Sequence, residues 1–215
     1  MHTEKSLSQA LLEVEDDIVH RRGEDIRSLF DAQIAEAGSH LARAARLMVG
    51  AVAPDFSLTS TSSRTVSLSN LLDRGPVILT FYRGSWCNFC DMTLKIWQKF
   101  VPEVEAKGAT LYAISPETPE KGREFKNAVG LTYELLSDAN NTVSDAYGLT
   151  FTLPFSAQNK LIELGTDVGS RNQSGKWDVP VTATFIVGTD QRIIFADCSP
   201  DYRQRADPAL VLSFF

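Results

Sequence analysis

A run of six strand-forming residues, Val77-Ile-Leu-Thr-Phe-Tyr82, leads within five positions into Cys87-Asn-Phe-Cys90. The residues after this pair read as a helix, with Met92, Ile96 and Phe100 on one face. This feature constrains the fold most. A continuous apolar run without alternation is the pattern of a strand covered on both faces. Such a strand followed by a helix belongs to a layered α/β domain. The helix start gives the cysteines their chemistry. There the first N–H groups lack helical partners and the macrodipole is positive, so a thiolate is stabilised. Residues three apart share a helix face, so the two sulfurs can bridge. One thiol can then be oxidised or attacked while the other resolves it. Arg83, a few residues upstream, is a candidate source of further positive charge. Trp86 is a candidate wall of a substrate or partner surface, or a core ring at the strand end.

The rest of the chain agrees with an α/β reading. Beyond residue 50, short strands are expected at Phe56–Leu58, Thr65–Leu68, Ala109–Ser115, Tyr133–Leu136, Val181–Val187 and Ile193–Cys198. Helices are expected at Pro119–Val129, Asn141–Tyr147 and Pro208–Phe215. Residues 149–178 read as a long loop with one helix near Gln158–Leu164. Residues 1–50 differ. Leu7, Leu11, Val14 and Ile18 recur at helical spacing, Arg22-Gly23 interrupts, and a second pattern runs from Ile26 to Met48. The expected division is a helical extension over 1–50 and a domain over 51–215. The extension covers an apolar face of the domain or makes a dimer contact.

Composition enters as an exclusion. The 21 Lys+Arg against 27 Asp+Glu give a net charge of −6, which offers no electrostatic footprint for nucleic acid or an anionic membrane. No apolar run approaches the roughly 20 residues of a membrane span, and the N-terminus lacks the apolar core of a signal peptide. A cytoplasmic protein is expected. Three cysteines are too few for a disulfide scaffold. A zinc site would have to recruit Cys198, His2, His20 or His40, so no metal or other cofactor is expected. Cys198 reads as a buried apolar cysteine, with a second resolving thiol as the alternative. Asp91 reads as a helix-start residue. Asp201, Tyr202, Arg203 and Arg205 read as a surface ion-pair cluster.

Several motifs together carry a resemblance. They are Pro54-Asp55-Phe56, Phe81-Tyr-Arg-Gly-Ser-Trp-Cys-Asn-Phe-Cys90, Ile114-Ser115-Pro116, Asp138, Tyr147-Gly148-Leu149 and Val179-Pro-Val-Thr-Ala-Thr-Phe-Ile-Val187. With them the chain resembles the peroxiredoxin-like branch of the thioredoxin superfamily, often labelled alkyl hydroperoxide reductase/thiol-specific antioxidant. The resemblance implies a thioredoxin-like fold, a central mixed β-sheet flanked by helices, and redox activity toward peroxides or disulfides. It puts the peroxidatic cysteine on Cys90 and sets Cys87 at a position where peroxiredoxins carry Thr. It sets Thr182 where peroxiredoxins carry an Arg and thioredoxins a cis-Pro, which leaves Arg83 as the nearest substitute cation.

The leading expectation is a thiol-dependent peroxidase of antioxidant type. In it one thiolate, preferably Cys90, attacks hydrogen peroxide or an organic hydroperoxide, and the second cysteine closes a disulfide. An external dithiol, thioredoxin or glutaredoxin in type, would reduce the pair. The alternatives are a thiol–disulfide oxidoreductase in which Cys87 attacks, and a non-catalytic redox sensor or interaction module. A homodimer is compatible with each.

Overall fold

The computed structural model describes residues 5–45 and 47–215. Its centre is a seven-stranded mixed sheet. The strands are β1 (Ser57–Ser60), β2 (Thr65–Ser67), β3 (Val77–Phe81), β4 (Thr110–Ser115), β5 (Glu134–Ser137), β8 (Ala183–Val187) and β9 (Ile193–Cys198), in the order β2-β1-β5-β4-β3-β8-β9. Between β5 and β8 in the chain, β6 (Thr150–Thr152) and β7 (Asp178–Pro180) form a separate antiparallel pair. All five residues of β3 are buried, as its unbroken apolar run requires. It pairs in parallel with β4 and antiparallel with β8, and β4 pairs in parallel with β5. Tyr82 N–H continues the ladder onto Ile114 O at 3.0 Å, so the chain leaves the sheet only at Arg83.

Helices cover this sheet. In the extension, α1 (Leu7–Arg22) starts on a capping box between Ser6 and Gln9, and α2 (Ile26–Arg43) buries Ile26, Leu29, Phe30, Ala37 and Leu41. Next come α3 (Leu68–Leu72) and α4 (Asn88–Ala106). They are followed by α5 (Pro119–Val129), α6 (Thr142–Ala146), α7 (Phe155–Glu163), α8 (Val168–Arg171) and α9 (Pro208–Leu212). The extension packs onto the domain, α1 against α4 and α2 against α7.

Three local expectations are corrected. α2 ends at Arg43, and Met48 lies beyond it with 60% of its surface exposed. The chain turns there because Gly50 N–H and Ala51 O bond the backbone of Ile193 on the edge strand β9. Pairing with a sheet edge outweighs one more helical turn. α3 was not expected from the sequence. The Asp55 carboxylate accepts from Phe56 and Ser69 N–H at 2.8 and 3.0 Å, so the acidic residue of the Pro-Asp-Phe motif staples the start of α3. The segment 149–178 is more ordered than a loop. Asn172 Nδ2 donates to the carbonyls of Lys176 and Asp178, and β6 pairs with β7 across the segment. Three-residue strands carry too little alternation to be read from sequence.

Candidate active site

The two thiols meet where β3 hands over to α4. Cys87 is the N-cap of α4, with φ −91° and ψ 106°, and Cys90 lies in the helix's first turn. Their sulfurs are 2.9 Å apart, with the Cys90 thiol donating to Cys87. The sulfurs are already in contact, as disulfide formation requires. The two are not equally reachable. Cys87 lines a cleft of about 160 Å³ and is 3% exposed, whereas Cys90 is fully buried behind it and does not line the cleft. The cleft's apolar walls include Ile18, Ile26, Leu29 and Phe30 from the extension, with Leu161 and Leu164 from the α7 region.

Two guanidinium groups attend the sulfurs. Arg83 is 3% exposed and its Nη1 donates to Gln33 Oε1 at 2.7 Å. Its charged carbon stands 3.7 Å from the Tyr202 ring centre and 4.8 Å from that of Trp86. Arg205 places Nη2 3.6 Å from Cys90 Sγ and anchors Nε on Tyr202 O at 2.9 Å. Both charges favour either thiolate, and the hydrogen bond between the sulfurs splits the pair. Burial works against the Cys87 thiolate, but the Cys90 hydrogen bond and the Arg83 and Arg205 charges outweigh it and hold Cys87 well below an ordinary thiol. Burial pushes Cys90 well above an ordinary thiol, and the hydrogen bond to Cys87 and its negative charge add to that.

The other expected residues fall into place unevenly. Trp86 borders the same cleft as Cys87 and lies under Arg83. Thr182 precedes β8, whose Ala183 pairs with Phe81, and so sits at the same end of the sheet as the cysteines. Its hydroxyl is buried with no hydrogen-bond partner among the described residues, so it is bonded to neither sulfur. Cys198 is half-buried at the end of β9, paired with Ala183. Asp91 pairs with Lys95 at 2.8 Å, as a helix-start residue does. Asp138 caps α6 by accepting from Val143 and Ser144 N–H.

The Asp201–Arg205 cluster is only partly a surface network. Arg203 does bridge Asp201 and Glu15, at 2.9 and 3.0 Å. Tyr202, however, is buried, with its ring packed edge-on against Phe30 and Phe89. Arg205 turns inward to Cys90, where no local sequence signal could direct it. Glu117 is a further residue that sequence reasoning missed. It is buried, accepts from Ser85 N–H and Oγ at 2.7 and 2.9 Å, and pairs with Arg171 at 3.2 Å. It thereby ties the loop before Cys87 to the end of β4. The one hint was its place after Ser115-Pro116, at the end of a parallel strand.

Among the described residues no group of three or more His, Cys, Asp and Glu is arranged to hold a metal ion. His40 bonds Gly148 O at 3.0 Å, and His2 lies outside the described residues. Among the described residues no helix is long and apolar enough to cross a membrane.

The family described as the AhpC/TSA family matches residues 49–196. Among curated relatives, thiol-disulfide oxidoreductase ResA of Geobacillus thermodenitrificans is 30% identical over 124 residues, 55% of this chain and 70% of that protein. Alkyl hydroperoxide reductase E of Mycobacterium bovis is 31% identical over 128 residues, 59% of this chain and 80% of that protein. Among solved structures, peroxidoxin BcpB of Mycobacterium tuberculosis superposes with a TM-score of 0.62 at 23% identity, covering 79% of this chain and 96% of that one.

Proposed function

Because the chain belongs to the AhpC/TSA family, we propose that it is a thiol-dependent peroxidase reducing hydrogen peroxide or organic hydroperoxides through Cys87 and Cys90. The observation that carries this reading is a thiol held low at a cleft with a second sulfur 2.9 Å behind it. The resemblance sets first attack on Cys90. Access and electrostatics favour Cys87 for that role, since it alone of the pair lines the cleft and has its thiol held well below the ordinary range.

The Cys87 thiolate attacks one peroxide oxygen. An S–O bond forms, the O–O bond breaks, and the hydroxide or alkoxide leaves with a proton as water or alcohol. Cys87 is then a sulfenic acid. Cys90 attacks the Cys87 sulfur, an S–S bond forms and the S–O bond breaks. The hydroxide departs as water with the Cys90 proton. Arg83 stabilises the attacking thiolate and Arg205 faces the resolving sulfur. An external dithiol of thioredoxin or glutaredoxin type then reduces the pair by exchange. The cytoplasm, with its reduced thiol pool, is the compartment that fits this cycle. Within this proposal residues 51–215 are the redox domain and residues 1–50 its extension. A second copy of the chain is its proposed partner, through the exposed Met48, Val49 and Val52 beside the edge strand β9. Sedimentation of the reduced protein tests that contact.

The same geometry favours one second reading. A reachable, acidic Cys87 before a sealed Cys90 also suits thiol–disulfide exchange, in which Cys87 attacks a disulfide and Cys90 releases the mixed disulfide. Stopped-flow oxidation with sulfenic acid trapping by dimedone separates the two. The peroxidase reading expects rapid consumption of peroxide and a trapped adduct on Cys87 in Cys90→Ser, with none on Cys90 in Cys87→Ser. A peroxide rate no faster than that of free cysteine, beside turnover of a model disulfide, would transfer the assignment to the second reading.

A further inference from the structure

The α1–α2 hairpin lies outside residues 49–196, which match the family, yet one of its side chains reaches the redox site. Gln33 is 1% exposed on the inward face of α2, among Leu29, Phe30 and Ala37. A buried amide on an apolar face is costly unless its groups are paired. Both ends of Gln33 are used. Its Nε2 donates to Leu29 O at 2.9 Å, which locks the side chain to its own helix. Its Oε1 accepts from Arg83 Nη1 at 2.7 Å. The Arg83 guanidinium meanwhile stands over the Tyr202 and Trp86 rings. Ring faces hold a planar cation against tilting but leave it free to turn in its own plane. The fixed carbonyl oxygen of Gln33 supplies an in-plane restraint.

We propose that Gln33 is a positioning residue, which aims the Arg83 guanidinium at Cys87 and makes the N-terminal hairpin a working part of the redox site. The proposal rests on the reading of Cys87 as the attacking thiol. Its consequence is that the reactivity of the thiol depends on a residue from a segment the family match does not cover.

The test is a double-mutant cycle read by the pH dependence of Cys87 alkylation with iodoacetamide, in a Cys90→Ser background. Gln33→Met keeps the volume of the side chain and removes the acceptor. It is expected to move the thiol titration, read from the full alkylation profile against pH, up by about one pH unit. Arg83→Met is expected to move it at least as far, and Gln33→Met added to Arg83→Met to move it no further. If Gln33→Met does not fold, Gln33→Asn takes its place, with the amide kept and one methylene of reach lost. An unchanged titration in a folded Gln33 variant overturns the proposal, as does an equal further shift in the Arg83→Met background. If Cys87 already titrates like an ordinary thiol before either change, the attacking-thiol reading itself fails, and the proposal with it.

Discussion

Cys87 and Cys90 are the same residue type three positions apart, yet their surroundings drive them in opposite directions. A helix N-terminus acts on both, so position in sequence cannot divide them. Depth and the bond between the sulfurs do: Cys87 meets the cleft and accepts from the Cys90 thiol, and Cys90 is sealed beneath it. A pH dependence of stability follows. The folded state holds Cys87 below its ordinary value of 9.0, so its ionisation stabilises the reduced fold in full above pH 9. That contribution is lost as pH falls through the depressed value. Cys90 has the opposite sign, because its folded value is raised and it opposes the fold above pH 9. Urea midpoints of the reduced protein are therefore expected to rise from pH 5 toward 9, and the rise to flatten in Cys87→Ser. Arg205 gives a second expectation. Its charge counteracts the rise of Cys90, so Arg205→Met should leave Cys90 more firmly protonated. Sulfenic acid on Cys87 should then persist, with disulfide closure slowed about three- to fourfold for each unit of further shift, since the fall in thiolate fraction is partly offset by higher nucleophilicity. Dimedone capture in the otherwise intact pair measures it, and closure at the wild-type rate would remove Arg205 from the resolving step.

At the scale of elements, the site depends on one short loop between two well-specified pieces. β3 and α4 were legible in the sequence, because an unbroken β-rich run and a 3.6-residue period are strong local signals. The loop between them is shaped by contacts from elsewhere. Gly84 has φ +140°, and a Cβ there would come within 2.4 Å of Trp86 Nε1 and 3.1 Å of Glu117 Cδ. Glu117 holds the adjacent Ser85 through two hydrogen bonds. Glu117→Gln weakens charge-assisted bonds and leaves Arg171 without its ion-pair partner. The expected cost is about 1.5–3 kcal/mol, measured by chemical denaturation. It should come with slower Cys87 oxidation, since the loop that presents the thiol loosens. A change below about 0.5 kcal/mol would mean that the loop does not depend on Glu117. The elements that were misread, α3 and the ordered parts of 149–178, share a physical reason. Each is short, and each is fixed by a distant partner: Asp55 for α3, and the β6–β7 pairing for the long segment.

For the whole molecule, α1 and α2 cover parts of α4 and α7. α1 and α2 bury Leu7, Leu11, Phe30 and Leu41 against α4, α7 and their neighbours, and Glu15 ties α1 to Arg203 near the C-terminus. Deleting residues 1–48 should expose those faces, lower the thermal midpoint by many degrees, and return Cys87 toward an ordinary thiol as Arg83 meets water. A truncated chain with the full-length midpoint and an equally acidic Cys87 would reduce the hairpin to an appendage. The division of information between sequence and structure follows from range. By itself the sequence determined the α/β class, the central strand, the helix behind it, the cysteine pair at their junction and two helices ahead of the sheet, α1 and α2. All of these rest on contacts within a few residues or on periodicity. Only the tertiary structure decided which sulfur faces the cleft. The inward turn of Arg205, the hold of Gln33 on Arg83 and the tie of Glu117 to the active loop were likewise decided there. Those pairs lie 115, 50 and 32 positions apart in the chain. No local pattern encodes such separations; burial, charge pairing and ring stacking fix them only when the sheet has brought the segments together.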